Sequence, residues 1–195
     1  MNSQLKEIEN FAHENFVPII RPKSAEILVN LIKEYNPNQI LEIGTAIGYS
    51  GILMLKNSKN SKLVTIEKDE NRFLMATSNF KRCGLDGRLK QILGDANEEV
   101  KRLEQNFDFI FLDGPKTHYL KQLPYLLNHL NVGGLLIADN VLFMGQVLSD
   151  AYPKHKHRTA ILSLRKFLQT IKSCPFLQTE IIDVEDGLVI AKKIK

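Results

Sequence analysis

Apolar residues along this 195-residue chain change period in a regular order. Helical spacing covers about 3–15 and 23–35, and Val17-Pro18-Ile19-Ile20-Arg21-Pro22 separates the two segments, since proline ends or kinks a helix. Short apolar runs then alternate with helical stretches. Strand 39–43 leads to helix 49–57, strand 62–67 to helix 69–83, and strand 89–93 to helix 96–104. Strand 108–112 leads to helix 117–130, and strand 134–138 to a loop and helix 157–172. Apolar runs of this length bounded by glycine read as strands buried on both faces. The last two, about 177–183 and 187–193, flank Glu185-Asp186-Gly187, a hairpin-type turn. The alternation predicts an α/β fold, a mostly parallel sheet covered on both faces with a C-terminal antiparallel hairpin. Without repeats, low-complexity tracts or Gly/Ser linkers, residues 1–195 read as one domain, with 1–35 as an N-terminal helical extension.

In open parallel sheets, ligands bind outside the carboxyl ends of the strands. Residues 38–50 place Glu42, Gly44 and Gly48 at the first such end. The two glycines let the backbone turn sharply and approach a ligand with no Cβ in the way. Glu42 can accept hydrogen bonds from a cationic amine. The G-x-G-x-x-G fingerprint and a phosphate-loop lysine are both absent, so this turn is not built for a pyrophosphate. Successive strand ends carry Glu42, Glu67, Asp95, Asp113 and Asp139. Glu67, 19 residues after Gly48, suits a bidentate grip on a ribose diol, although acids also begin helices. Asp95, in Gly94-Asp95-Ala96, suits an adenine amino group or a helix cap.

Asp113, Asp139 and Asn140 place three oxygen-bearing side chains at adjacent strand ends. Hard oxygen ligands suit magnesium, manganese or calcium, and a three-ligand magnesium site leaves positions for a bidentate substrate. Lys116, three residues after Asp113, reaches whatever such a metal binds, unless it is a surface lysine at a helix start.

Composition narrows the class. Apolar residues make up 44% and charged residues 25%, as in ordinary globular proteins. No apolar run approaches the ~20 residues of a membrane span, and the N-terminus lacks the layout of a signal peptide. Cys83 and Cys174 form no ligand-spaced pair and read as reduced thiols, which points to the cytoplasm. The net charge of +4 permits an anionic partner without requiring one.

Leu41-Glu42-Ile43-Gly44-Thr45, Gly94-Asp95-Ala96, Asp113-x-x-Lys116-x-x-Tyr119 and Asp139-Asn140-Val141-Leu142 occur in the order found in the metal-dependent catechol and caffeoyl-CoA O-methyltransferases. The chain resembles that class I family over residues 16–193, including the closing Asp186-Gly187-Leu188. Within it, Val17-Pro18-Ile19, residues 43–50 and Asp139-Asn140-Val141-Leu142-Phe143-x-Gly145 look most like the bacterial tRNA 5-hydroxyuridine methyltransferases. The resemblance implies a Rossmann-like, seven-stranded methyltransferase fold that binds S-adenosylmethionine (SAM). It implies SAM contacts at Glu42, Gly44, Gly48, Ser50, Glu67, Asp95, Ala96 and Asp113, ligation of Mg2+ (or Mn2+ or Ca2+) by Asp113, Asp139 and Asn140, and a catalytic Lys116. It also implies a homodimer, with the amphipathic N-terminal helix as the contact. Gly114-Pro115 departs from relatives that carry alanine after the aspartate, while the Asp-to-Lys spacing is kept.

The expected activity is metal-assisted O-methylation of an acceptor with two adjacent oxygens. Both a catechol and 5-hydroxyuridine satisfy that requirement. The segment that separates them is Pro153-Lys154-His155-Lys156-His157-Arg158, with Arg165 on the next helix and Arg21 before the first motif. Arg21, Lys154, Lys156, Arg158 and Arg165 suit the phosphates of a tRNA anticodon loop whose nucleotide is extruded, or form a solvated basic loop. The expectation is therefore methylation of wobble 5-hydroxyuridine to 5-methoxyuridine, with a small catechol-like or CoA-linked phenol as the alternative acceptor. A non-catalytic SAM- or RNA-binding module has no need of Asp113, Lys116, Asp139 and Asn140 together.

Overall fold

The computed structural model describes residues 3–149, 151–153 and 155–195. Strands β1 (Gln39–Ile43), β2 (Lys62–Glu67), β3 (Leu89–Leu93), β4 (Phe107–Leu112), β5 (Leu130–Asp139), β6 (Leu177–Ile182) and β7 (Leu188–Lys193) form one sheet, in the order β3-β2-β1-β4-β5-β7-β6. Neighbours are parallel from β3 to β5, and β7 runs antiparallel to both β5 and β6. Parallel neighbours require crossover helices, whereas the short Glu185 turn permits a direct reversal. The expected α/β fold with its C-terminal antiparallel hairpin is the observed one.

The helices are α1 (Ser3–Glu14), α2 (Pro22–Tyr35), α3 (Tyr49–Lys56), α4 (Glu70–Arg82), α5 (Ala96–Glu99), α6 (Tyr119–His129) and α7 (Arg158–Ser173). Strand side chains alternate between two cores. Leu41, Ile43, Ile110, Leu112 and Leu136 join the core of α6 and α7. Ile40, Phe109, Phe111, Leu135 and Ile137 join the core of α1 to α4. The apolar face of α1 (Leu5, Ile8, Ala12) is buried in that second core, against α3. That apolar face of α1 is thus covered within the chain. Among the described residues no helix is long and apolar enough to cross a membrane, and Cys83 and Cys174 are free thiols.

Three boundaries differ from the sequence expectation. The helix expected over 96–104 ends at Glu99, where bonding tightens to Lys101 N–H on Glu98 O and Arg102 N–H on Glu99 O before the chain enters β4. β5 begins at Leu130 rather than 134. Leu130 pairs with Phe107 and Leu135 with Phe109, so Asn131–Gly134 bulge outward, with Gly133 at φ 85°. Lys116 lies in a 3-10 turn, residues Lys116–His118, ahead of the α-helix proper.

Candidate active site

The strand order reverses at β1, whose neighbours β2 and β4 lie on opposite sides, which is where open α/β sheets form a ligand crevice. The backbone is tight there. Gly44 donates its N–H to Ile66 O at 3.1 Å, and Asp113 donates to Ile43 O at 2.9 Å. Gly44 has φ 97°, and a Cβ on it would lie 2.5 Å from the Asp113 carbonyl oxygen, so only glycine fits. A cleft of ≈ 350 Å³ opens at this point, within the roughly 300–1,000 Å³ typical of small-molecule sites.

Of the residues predicted from sequence, Gly44, Glu67, Asp95, Ala96, Asp113, Lys116 and Asn140 line the cleft. The Glu67 carboxylate is held by three backbone amides: Ala46 N–H at 2.9 Å, and Lys68 and Asp69 N–H at 3.0 Å each. Asp95 caps α5 by accepting the Asn97 N–H at 2.8 Å, and that bond keeps its carboxyl below the ordinary aspartate range.

Glu42, Gly48 and Ser50 were expected at the cofactor but do not line the cleft. Alternation along β1 turns Ile43 toward the cleft and Glu42 beneath α3. The buried Glu42 carboxylate accepts Ser50 Oγ at 2.5 Å and Thr65 Oγ1 at 2.7 Å, and Thr65 shares a 2.5 Å hydrogen bond with Thr45 Oγ1 in the turn after Gly44. Burial pushes the Glu42 carboxyl up to about 7, against the opposing pull of the two hydroxyls. Gly48, at φ 87°, starts α3 under the Phe80 ring. Gly48 donates its N–H to Thr45 O at 2.8 Å, so all three residues are tied by hydrogen bonds to the turn after Gly44.

The second cluster sits across the ends of β4 and β5. Lys116 Nζ donates to Asp113 Oδ1 at 2.9 Å and to the Tyr119 hydroxyl at 2.8 Å. Asp139 Oδ1 accepts the Asn140 N–H at 2.7 Å, and Asn140 holds a left-handed φ of 55°, a strained conformation of a kind common at functional sites. Burial, and then the charge of Asp113, pushes the Asp139 carboxyl up to about 7. Burial opposes the Lys116 ammonium, but Tyr119 and Asp113 outweigh it and hold its pKa above that of an ordinary lysine. Among the described residues no three His, Cys, Asp or Glu side chains cluster as a metal site; the candidate set is two carboxylates and one amide oxygen. Two carboxylates that repel each other beside a single ammonium leave a deficit of positive charge, which suits a hard divalent cation.

The segment after Asn140, expected at the rim, is held by long-range contacts. Leu142 N–H bonds to Asp186 O at 2.8 Å, and Asp186 Oδ1 accepts the Met144 N–H, which pins the loop after Asn140 to the β6–β7 turn. Arg21 precedes α2 and is exposed beside Glu185 of the same turn. Phe143 packs against His157, with ring centroids 5.3 Å apart. Lys156 is exposed, and the Arg158 guanidinium lies 4.9 Å from the Tyr152 ring centroid. Lys154 lies outside the described residues. Arg165 is a correction. It was expected on phosphates, but its guanidinium donates to the carbonyls of Gln146, Val147, Ser149 and Ala151, so it clamps the loop.

Sequence reasoning missed Pro18, Ile43, Ile66, Arg72, His118 and Gln122 on the cleft wall. Reading only polar strand ends passes over Ile43 and Ile66. Arg72 follows from Asp69, which caps α4 by accepting the Arg72 N–H at 2.9 Å and so sets that turn beside Glu67.

The sequence profile of the O-methyltransferase family matches residues 2–194. This chain belongs to the O-methyltransferase family. It is a SAM-dependent O-methyltransferase, as the strand-end motifs lead one to expect. It is 29% identical to a catechol O-methyltransferase from Niastella koreensis over 182 residues, covering 88% of this chain and 80% of that protein. It is also 29% identical to a caffeoyl-CoA O-methyltransferase from Medicago sativa, covering 87% and 72%. The crystal structure of an O-methyltransferase from Bacillus cereus in complex with SAH superimposes with a TM-score of 0.89 at 26% identity, covering 100% of this chain and 92% of that one.

Proposed function

We propose that this enzyme methylates a hydroxyl flanked by a second oxygen, with the help of a divalent metal, and that its acceptor is 5-hydroxyuridine at the wobble position of tRNA. The observation that carries the reading is the meeting of Asp113, Lys116 and Asn140 on one cleft wall, with Asp139 directly behind. In this reading Gly44 and Asp113 hold the methionine end of SAM, Glu67 the ribose diol, and Asp95 with Ala96 the adenine. SAM supplies a sulfonium methyl, whose C–S bond breaks with its electron pair on sulfur as the acceptor oxygen bonds to the methyl carbon. Asp113, Asp139 and Asn140 would hold Mg2+, or Mn2+ or Ca2+, whose charge lowers the pKa of a chelated hydroxyl and fixes its direction. Lys116 Nζ takes the hydroxyl proton. Burial opposes the Lys116 ammonium while Tyr119 and then Asp113 hold it, so a cation on Asp113 would weaken the second of those holds.

The exposed Lys156 and the Arg158–Tyr152 stack support an RNA acceptor, because cations and aromatic faces together suit phosphates and unstacked bases. A second reading, a catechol-like or CoA-linked phenol, is favoured by the catechol and caffeoyl-CoA activities of the relatives. Either acceptor is consistent with a cytoplasmic homodimer, which the family resemblance suggests. Mass spectrometry of tRNA nucleosides from cells with and without the gene tests the choice. Loss of 5-methoxyuridine on deletion supports the tRNA reading, and an unchanged nucleoside profile refutes it.

A further inference from the structure

Tyr119 opens α6 and is wholly buried, its ring edge-on to Phe167 with centroids 5.5 Å apart. A phenylalanine would fill the same space, so packing does not explain the hydroxyl. That hydroxyl accepts from Lys116 Nζ at 2.8 Å and lies 3.0 Å from two carbonyls, Leu112 O and Asp139 O. Leu112 ends β4 and Asp139 ends β5. The main-chain pairing of these strands stops at Leu112 and Ala138, and the phenol continues the tie one step further. Burial pushes the phenol above its ordinary pKa, so it is a neutral hydroxyl with one hydrogen to give and lone pairs to receive.

From this geometry we infer that Tyr119 is a positioning residue for methyl transfer, whose hydroxyl aims the Lys116 amine at the acceptor. The inference rests on the reading of Lys116 as the base. Two bonds, to Asp113 Oδ1 and to the Tyr119 hydroxyl, fix where Nζ sits on the wall of the cleft that Lys116 lines. With the phenolic oxygen removed, Nζ keeps a single anchor and swings away from that position.

The test compares wild type with Tyr119→Phe, which keeps the ring against Phe167. One measurement needs no substrate: nitrogen-edited NMR of the lysine ammonium groups in the cold, at mildly acidic pH. A slowly exchanging Lys116 signal, assigned by its absence in Lys116→Ala, should disappear in Tyr119→Phe. The same signal in both proteins overturns the inference. The second measurement is methyl transfer to catechol, followed with labelled SAM and Mg2+. Tyr119→Phe should lower kcat by about tenfold or more while KM for SAM stays within about twofold. Tyr119→Phe made on top of Lys116→Ala should cost nothing further, since a residue acting through Lys116 has nothing left to act on. A full additional loss in the double variant shows that the phenol serves the strand ends alone, and overturns the inference. Parental turnover by Lys116→Ala itself removes the base reading, a failure that the NMR comparison tells apart from failure of the tie.

Discussion

Glu185 caps the distant helix α2: its Oε2 accepts the N–H of Ser24, 161 residues before it, at 2.9 Å, while Oε1 accepts the Lys23 N–H at 3.3 Å. The residue at the helix boundary itself is Arg21, which has no side-chain acceptor to offer. Slight desolvation opposes the exposed carboxylate, but the two amides outweigh it and hold its pKa below the ordinary glutamate range. Glu185→Ala should therefore destabilise the fold by about 1 kcal/mol, the usual cost of losing a cap. The contribution is present above the unfolded pKa and fades as pH falls through the lower folded one. Urea melts of both proteins at neutral and acidic pH check this, and an equal loss at every pH contradicts it.

Glu42 has the opposite sign. Its carboxyl ionises near 4.5 when unfolded and at about 7 when folded. Between those values the native state binds the extra proton, so stability falls as pH rises through the window. The cumulative loss is on the order of 3 kcal/mol. Glu42→Gln, which cannot ionise, should remove that contribution and leave only the slope that the raised Asp139 carboxyl adds over the same window. Denaturant titrations of the two proteins across the window measure it, and parallel curves would mean that the buried carboxyl is not the cause.

Asp139→Ala should abolish turnover while leaving SAH affinity within a few fold, because Asp139 faces the proposed metal and not the cofactor cleft. Calorimetric SAH titrations and steady-state rates on the same preparation separate the two effects. Full activity of the parent enzyme in excess chelator would end the metal reading.

Lys116→Ala should lower kcat by roughly 10²–10⁴, the range for loss of a positioned base. Lys116→Arg should not restore it, since a guanidinium stays protonated. Single-turnover rates are the measurement. An arginine variant at parental speed would assign the lysine a purely electrostatic role.

Lys156→Ala combined with Arg158→Ala should weaken tRNA binding and flatten its salt dependence, each lost phosphate contact reducing the log–log slope by about 0.7–0.9. Methylation of catechol by the same variant should barely change. Unchanged tRNA affinity and slope would show that this rim does not carry the RNA.

The sheet, its crossovers and the clustering of Asp113, Lys116 and Asn140 were legible in the sequence because strand ends at a topological switch converge whatever the loops do. Glu42 lies behind the cleft wall and not on it. Its position in the motif gives the strand end but not the face, and the period-two alternation fixed by Ile43 decides the face. Arg165 looked like any other residue of a basic run. Only the approach of Gln146, Val147, Ser149 and Ala151 to α7 reveals the carbonyls that occupy it. The bulge at Asn131–Gly134 was hidden because Gly133-Gly134 reads equally well as a turn before a strand.

In the proposed reading this loop meets the acceptor, and the grip of Arg165 on it then bears on how acceptor preference can change. It touches main-chain oxygens only, at Gln146, Val147, Ser149 and Ala151, and every residue type presents the same carbonyl. The side chains of Gln146, Ser149 and Ala151 are thereby free to vary while the path of the loop stays fixed, whereas Val147 is held by the core. A new acceptor could be accommodated by rewriting the rim one residue at a time, with no need to rebuild the ground on which it stands.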